Sequence, residues 1–359
     1  MTEDGRPGTA LKPSSVLRLP SHIFSMTDDL NNLVDELNAP LNPNFKCGYV
    51  AVVGKPNVGK SAIVNALVGH RVAITSPKAQ TTRRRVLGIF SDADKQVLFM
   101  DTPGIHQPKR ELGKFMMRQV EMALGDADVI LFVADVTRPP GDEDRRVIEE
   151  IHRSDRSASS QAGKPGSKPI LYVLNKIDAV NPAELLENVR QYEELTGKPL
   201  AALSGPPDAN TLLTTSATRG DNLQTLMALI VDKLPHGPAF YPPEQYTDQN
   251  DRIMAAELVR EQALRFLSQE VPHSVAVSVD EFKERKRGPF YIGATIYVER
   301  DSQKGILIGK GGEMLRKIGM EARKEIERDL DHPVFLELWV KVRDDWRSNP
   351  GAIENLMGG

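Results

Sequence analysis

The feature that most constrains this chain is GKPNVGKS at residues 54–61, set directly behind the apolar run YVAVV. The spacing G-x-x-x-x-G-K-[ST] predicts a strand, a phosphate-wrapping loop and then a helix through SAIVNALVG. Gly54, Lys55, Pro56, Asn57, Val58 and Gly59 would close around a phosphate. The glycines allow the tight wrap, while amide groups and the helix N-terminus supply positive potential. Lys60 is expected to reach the β- and γ-phosphates, and the Ser61 hydroxyl to ligate Mg²⁺. A glycine turn that merely precedes a helix would lack the strand before it.

Around this loop the pattern is regular. YVAVVG, QVLFMD, DVILFVAD, PILYVLN and LLTTSA are short apolar runs of the kind buried in a parallel sheet, with amphipathic stretches between them. The expectation is an α/β P-loop domain, doubly wound around a mostly parallel sheet, over residues 46–234. Residues 153–169 (RSDRSASSQAGKPGSKP) read as an exposed inserted loop, and the Pro-rich 235–250 as a linker. Ahead of the domain, 1–45 reads as a largely flexible extension. In it, MTDDLNNLVDELN predicts a short helix with Leu30, Leu33, Val34 and Leu37 on one face, docked on its own domain or offered to a partner.

Three further motifs narrow the nucleotide. DTPG (Asp101, Thr102, Pro103, Gly104) ends an apolar run, which puts Asp101 at a strand's carboxyl edge, beside Mg²⁺. The Gly104 amide can bond a γ-phosphate and lose that bond on hydrolysis. NKID (Asn175, Lys176, Asp178) follows a later strand. A carboxylate at Asp178 accepts from N1–H and the 2-amino group of guanine, and adenine offers neither proton. Asn175 would tether loops, Lys176 would lie over the base, and Ser216–Ala217 would bring an amide to guanine O6. Together the four motifs predict a GTP/GDP site.

Between the first two motifs, ITSPKAQTTRRRVLGI offers Thr82, or its neighbour Thr81, to complete Mg²⁺ coordination. Arg83, Arg84 and Arg85 read as arginine fingers or as a solvated or RNA-facing cluster. Ras-type GTPases place a water-orienting glutamine after D-x-x-G; here Ile105 stands there, so slow intrinsic hydrolysis is expected. Asn57 has two readings. Its amide oxygen coordinates K⁺, which then acts as an arginine finger would, or it hydrogen-bonds the loop backbone.

The last third changes character. A helical stretch, two strands, a second helix and a final strand predict an α+β domain over 251–349, with 350–359 as a tail. Gly309, Lys310, Gly311 and Gly312 form a G-x-x-G loop that opens the second helix, the device by which KH domains clamp about four nucleotides of single-stranded RNA. Arg316 and Lys317 follow it, and FKERKRG (282–288) adds a second basic cluster. These local charges matter because the chain as a whole carries a formal charge of −3, so any nucleic-acid surface must be local. The single cysteine, Cys47, rules out an intrachain disulfide and suits a reducing compartment. No apolar run approaches the roughly 18 residues of a membrane span. No G-x-G-x-x-G follows a strand, which removes a dinucleotide enzyme.

GKPNVGKS, TSPKAQTTRRR, DTPGIHQPK, NKID and TSATRGDNL, followed by QKGILIGKGGEMLRKIGMEARKEIE and LELWVKVRDDWR, closely resemble the Era family of bacterial ribosome-assembly GTPases. The resemblance runs from about Phe45 to Asn349. It implies a cytoplasmic protein, with peripheral inner-membrane contact as an option, that acts in small ribosomal subunit maturation; separately, a monomer is expected. It also implies that the KH domain takes the 3′ end of 16S rRNA. The extension and the 153–169 insertion have no counterpart in that pattern. A rival reading is an RNA-binding module whose nucleotide is structural.

Overall fold

The computed structural model describes residues 42–78, 80–159, 167–201, 210–268 and 271–357. The amphipathic helix expected near residues 27–37 lies outside them. The first sheet has the order β2-β3-β1-β4-β5-β6: β1 (Lys46–Val53), β2 (Val86–Ser91), β3 (Lys95–Asp101), β4 (Val129–Asp135), β5 (Ile170–Asn175) and β6 (Leu212–Thr214). Only β2 runs antiparallel to its neighbour. Alternate residues of each strand go to opposite cores. Ala51, Val53, Ile130 and Phe132 join one; Val50, Val52, Leu131 and Val133 join the other. That division is the period-2 geometry of a strand covered on both faces.

Helices α1 (Lys60–Val68), α2 (Glu111–Asp126), α3 (Asp142–Ser159), α4 (Pro182–Thr196) and α5 (Leu223–Lys233) fill the connections. α3 corrects the expectation of a loop from 153: the helix runs on to Ser159, because the apolar positions Val147, Ile148 and Ile151 anchor its first half in the core. The expected linker is held along the G-domain sheet edge. Phe240 and Tyr241 N–H groups donate to Gln96 Oε1 (2.7 and 3.0 Å). Ile89 N–H donates to the Tyr246 carbonyl (2.9 Å), and Thr247 pairs with Gly88.

Beyond it come α6 (Asp251–Phe266), the one-turn α7 (Val271–Ser274), β7 (Ala276–Lys283), β8 (Phe290–Val298), α8 (Asp301–Ile308), α9 (Glu313–Leu330), β9 (Val334–Val342) and α10 (Pro350–Met357). β7 and β8 are antiparallel, β8 and β9 parallel, and β9 is an edge strand. α6 and α9 cover one face, with Leu258, Val259, Ile318, Ala322 and Ile326 in a shared core. From Pro43 onward the chain is one compact unit.

Two expectations are corrected where the halves meet. Of the three arginines after Thr82, Arg83 and Arg84 turn inward to backbone carbonyls, while Arg85 stays exposed at the surface. Arg83 is buried (3% exposed). It donates to the Val275 and His273 carbonyls (2.6 and 3.1 Å) and lies over the Trp346 ring. Arg84 donates to the Met357 carbonyl (2.8 Å) and Arg85 to Asp126 (2.7 Å). A guanidinium satisfies several carbonyls at once, which suits it to stitching elements together. The expected tail is α10, whose Ala352, Ile353 and Met357 pack with Leu112 and Met116 of α2 and with Trp346.

Candidate nucleotide site and RNA groove

The carboxyl ends of β1, β3, β4 and β5 lie side by side, with Val52 opposite Asp101 and Asp135 opposite Asn175. A cavity of about 660 Å³ opens there, lined among others by Pro56, Asn57, Lys60, Ser61, Thr82, Gly104 and Lys176. The loop after β1 needs its glycines. Gly59 caps α1 at φ 97°, and a Cβ there would meet Asn175 Nδ2 at 2.3 Å. A Cβ on Gly54 would meet the Val133 carbonyl at 2.2 Å. Lys60 curls over the loop and donates to the carbonyls of Gly54 (3.3 Å) and Lys55 (3.0 Å). Burial pulls its ammonium down to about 8, partly offset by Asp101. Burial pushes the Asp101 carboxyl up, with Lys60, Ser61 and Thr82 opposing it.

Ser61, Thr82 and Asp101 converge. Ser61 Oγ donates to Asp101 Oδ2 (2.6 Å), Thr82 Oγ1 lies 3.1 Å from the same oxygen, and the two hydroxyls are 3.0 Å apart. Asp101 Oδ1 is buried with no hydrogen-bond partner. Three hard oxygen donors around one point, with a carboxylate oxygen left over, fit a Mg²⁺ ion. Thr81 turns away, to the Lys78 carbonyl (2.7 Å). Thr102 is buried, its hydroxyl on the Val52 carbonyl (2.7 Å); with Pro103 it carries the chain to Gly104. That glycine is pressed against the phosphate loop, since a Cβ on it would lie 2.6 Å from Pro56 Cα and N. Ile105 is buried.

The third loop is cross-braced. Asn175 donates to the Val58 carbonyl (2.9 Å) and accepts from the Ala217 N–H (3.1 Å), tying the phosphate loop to the Ser216–Ala217 turn. Lys176 spans to the Asn57 carbonyl and to Asp135 (2.6 Å each). Asp178 is exposed and accepts from Ser216 (2.6 Å) and Thr218 (2.9 Å). The Ser216 bond, with Thr218 adding to it, holds its carboxyl below the usual range. Asn57 uses its amide nitrogen on the Pro77 carbonyl (3.0 Å). The motifs did not disclose Asp144, whose buried carboxylate pairs with Lys55 (2.7 Å). No recognisable pattern surrounds it.

At the other end, Gly309, Gly311 and Gly312 all take positive φ (74°, 60° and 83°), which frees the loop around Lys310 to turn into α9. A groove of about 380 Å³ runs from it, lined by Gly312, Leu315, Arg316, Met320, Leu336 and Leu338 among others. Gly319 lets β9 approach, since a Cβ there would stand 3.2 Å from Leu338. Arg316 lines the groove. Lys317 does not: its ammonium sits over the Phe266 ring, 4.3 Å from the centroid.

Fold and site define a class, a P-loop GTPase joined to a KH domain. The family model described as 50S ribosome-binding GTPase matches residues 49–176, and a KH-domain model matches 270–347. GTPase Era of Heliobacterium modesticaldum is 41% identical over 312 residues, covering 87% of this chain and 97% of that one. The chain belongs to the Era family. Two solved Era structures agree with the fold, each at TM-score 0.75 and each covering 87% of this chain and 99% of the other. One is an Aquifex aeolicus Era variant bound to GDP·AlF4⁻, at 39% identity. The other, at 40% identity, is Era with MgGDPNP and nucleotides 1506–1542 of 16S ribosomal RNA.

Proposed function

We propose that this chain is a GTP-hydrolysing, RNA-binding assembly factor for the small ribosomal subunit, working in the cytoplasm and taking the 3′ end of 16S rRNA in its KH groove. The observation that carries this reading is the related Era complex holding a GTP analogue and that RNA together. The residue geometry here supports it. Ser61 and Thr82 would hold Mg²⁺ with Asp101 behind them, and the ion would neutralise charge on the phosphates. Lys60 and the amides around it bind the β- and γ-phosphates, and Gly104 senses the γ-phosphate. Asp178 reads the guanine edge, Asn175 fixes the loops, and the Lys176 stem covers the base.

Ile105 has no polar atom to orient water, so basal hydrolysis is slow. K⁺ beside Asn57 supplies the missing charge: with its amide nitrogen engaged on Pro77, the side-chain oxygen remains for a cation. Turnover should rise several-fold in KCl over NaCl, and the Asn57→Ala variant should lose that difference. Equal wild-type rates in both salts would remove the K⁺ role.

The deciding experiment is affinity for a short RNA with the 16S 3′ sequence, at one fixed salt concentration. Tighter binding with a non-hydrolysable GTP analogue than with GDP is expected. Equal binding would make the nucleotide structural and the chain an RNA-binding module.

A further inference from the structure

The KH sheet has a second face. Along β9 the side chains alternate: Leu336 and Leu338 look into the groove, while Phe335 and Trp339 stand on the opposite side, 55% and 40% exposed. On that outer side β8 contributes Tyr291, paired opposite Phe335 and stacked on it with centroids 6.0 Å apart and planes 17° from parallel. Between them Gly293 has no side chain. The Trp339 indole lies over it, so close that a Cβ there would meet the ring at 3.1 Å and the Tyr291 hydroxyl at 3.3 Å. The three rings thus form one continuous aromatic patch.

The patch is framed by cations. Lys283 and Arg285 lie over the Tyr291 ring, 5.5 and 5.7 Å from its centroid, and the turn between β7 and β8 adds exposed Lys286 and Arg287. Glu284 stands exposed among these cations, and three carboxylates on the strands are engaged. Asp280 accepts from Thr295 (2.6 Å) and Ser278 (2.8 Å). Glu337 accepts from the Tyr291 hydroxyl (2.8 Å) and Glu281 pairs with Lys283 (2.6 Å).

Exposed contiguous rings on a soluble protein mark a binding surface. Rings bordered by lysine and arginine match a strand of nucleic acid, because bases stack on the π faces and phosphates meet the cations. We propose that this outer face is a second single-stranded RNA subsite, which receives the nucleotides that leave the KH groove over the edge strand β9. It rests on the RNA-binding reading above. A G-x-x-G groove holds only about four nucleotides, whereas the related complex contains nucleotides 1506–1542. The edge strand makes the route short, since groove and platform are the two sides of β9. Phe335 and Trp339 act as stacking surfaces, and Lys283, Arg285, Lys286 and Arg287 hold the backbone.

The test uses the full chain with GTP analogue bound and two synthetic RNAs that share the same groove-filling segment, one of about five nucleotides and one extended to about twelve, to outreach the groove. Trp339 is the exposed one of two tryptophans; Trp346 is fully buried. The long RNA should quench tryptophan emission and the short one should not. Trp339→Ala should weaken the long RNA about tenfold, one stacked base being worth roughly that factor, and leave the short RNA unchanged. Trp339→Phe should restore most of the loss, and Phe335→Ala should repeat it. Unquenched Trp339 with the long RNA bound, or equal affinity of wild type and Trp339→Ala for it, would overturn the subsite while leaving RNA binding intact. Failure of the wild type to bind either RNA would remove the RNA reading and the subsite together.

Discussion

Gly104 shows how much one missing methyl group can decide. Its backbone touches Pro56 so closely that alanine would drive a Cβ to within 2.6 Å of two backbone atoms, so Gly104→Ala must push the two loops apart. GDP affinity should stay within a few-fold, while affinity for the GTP analogue and turnover fall at least tenfold; equilibrium binding of both nucleotides checks it. Lys60 gives a pH signature. Its folded-state ammonium titrates near 8 against an ordinary 10.5, so between those values the unfolded chain holds the proton that the folded chain has released. Burial of the charge therefore costs stability below pH 8, and the cost is relieved as pH rises toward 10.5. Phosphate charge beside the ammonium would favour its protonated form. Nucleotide binding at pH 9 should take up a proton, read by calorimetry in buffers of different ionisation heat, and uptake should vanish at pH 6.5. At this scale the sequence was most legible: loop chemistry is local, so Lys60, Ser61 and Asp178 could be named as candidates before any fold was known, and the structure sets Lys60 and Ser61 in one cavity with Asp178 on the braced loop beside it. The choice of Thr82 over Thr81 could not, because adjacent threonines differ only in where a folded loop points them.

Between elements the motifs said less. RRR after Thr82 looks like an electrostatic surface, yet Arg83 is a buried fastener between β2 and the segment at α7. Nothing local distinguishes a guanidinium that will find carbonyls nearly two hundred residues away. Arg83→Ala would remove the donor to the buried Val275 carbonyl, at roughly 1–3 kcal/mol for an unsatisfied buried group, and would also lose the His273 bond and the packing on Trp346. A loss of about 2–4 kcal/mol in denaturant unfolding is expected, with Arg83→Lys recovering only part, because an ammonium cannot reproduce the planar fork. α10 was misread because a short segment opening on Pro-Gly resembles a tail; its Ala352, Ile353 and Met357 gain meaning only against Leu112 and Met116. Deleting 350–357 should lower the melting temperature by several degrees and expose Trp346 to quenching by iodide.

Across the whole molecule, the segment between α1 and β2 belongs to both halves. Ile74 is part of the KH core. Thr75 N–H donates to Glu261 (3.0 Å), Arg71 bridges Glu261 and Glu325, and Arg260 holds the Thr81 carbonyl. Thr82, next in line, stands at the Asp101 cluster. Bonded neighbours thus join the Asp101 cluster to α6, a route along which a coupling free energy between nucleotide and RNA would be carried if the two states differ there. Ile74→Ala should cost about 2–5 kcal/mol, as a buried truncation does, and should shrink the analogue-over-GDP preference for RNA toward unity; paired RNA titrations measure it. The two-domain layout was readable from pattern alone, but this sharing was not, because periodicity reports which residues are apolar and not whose core they enter. Its consequence reaches to how such a chain can be divided. The Pro-rich stretch invites a cut there, yet an excised N-terminal half would display Ile74 and Arg83 to water, and the excised C-terminal half would have a hole where they had been. Neither fragment is a finished object, and the seam of this protein lies not at its linker but inside its nucleotide loop.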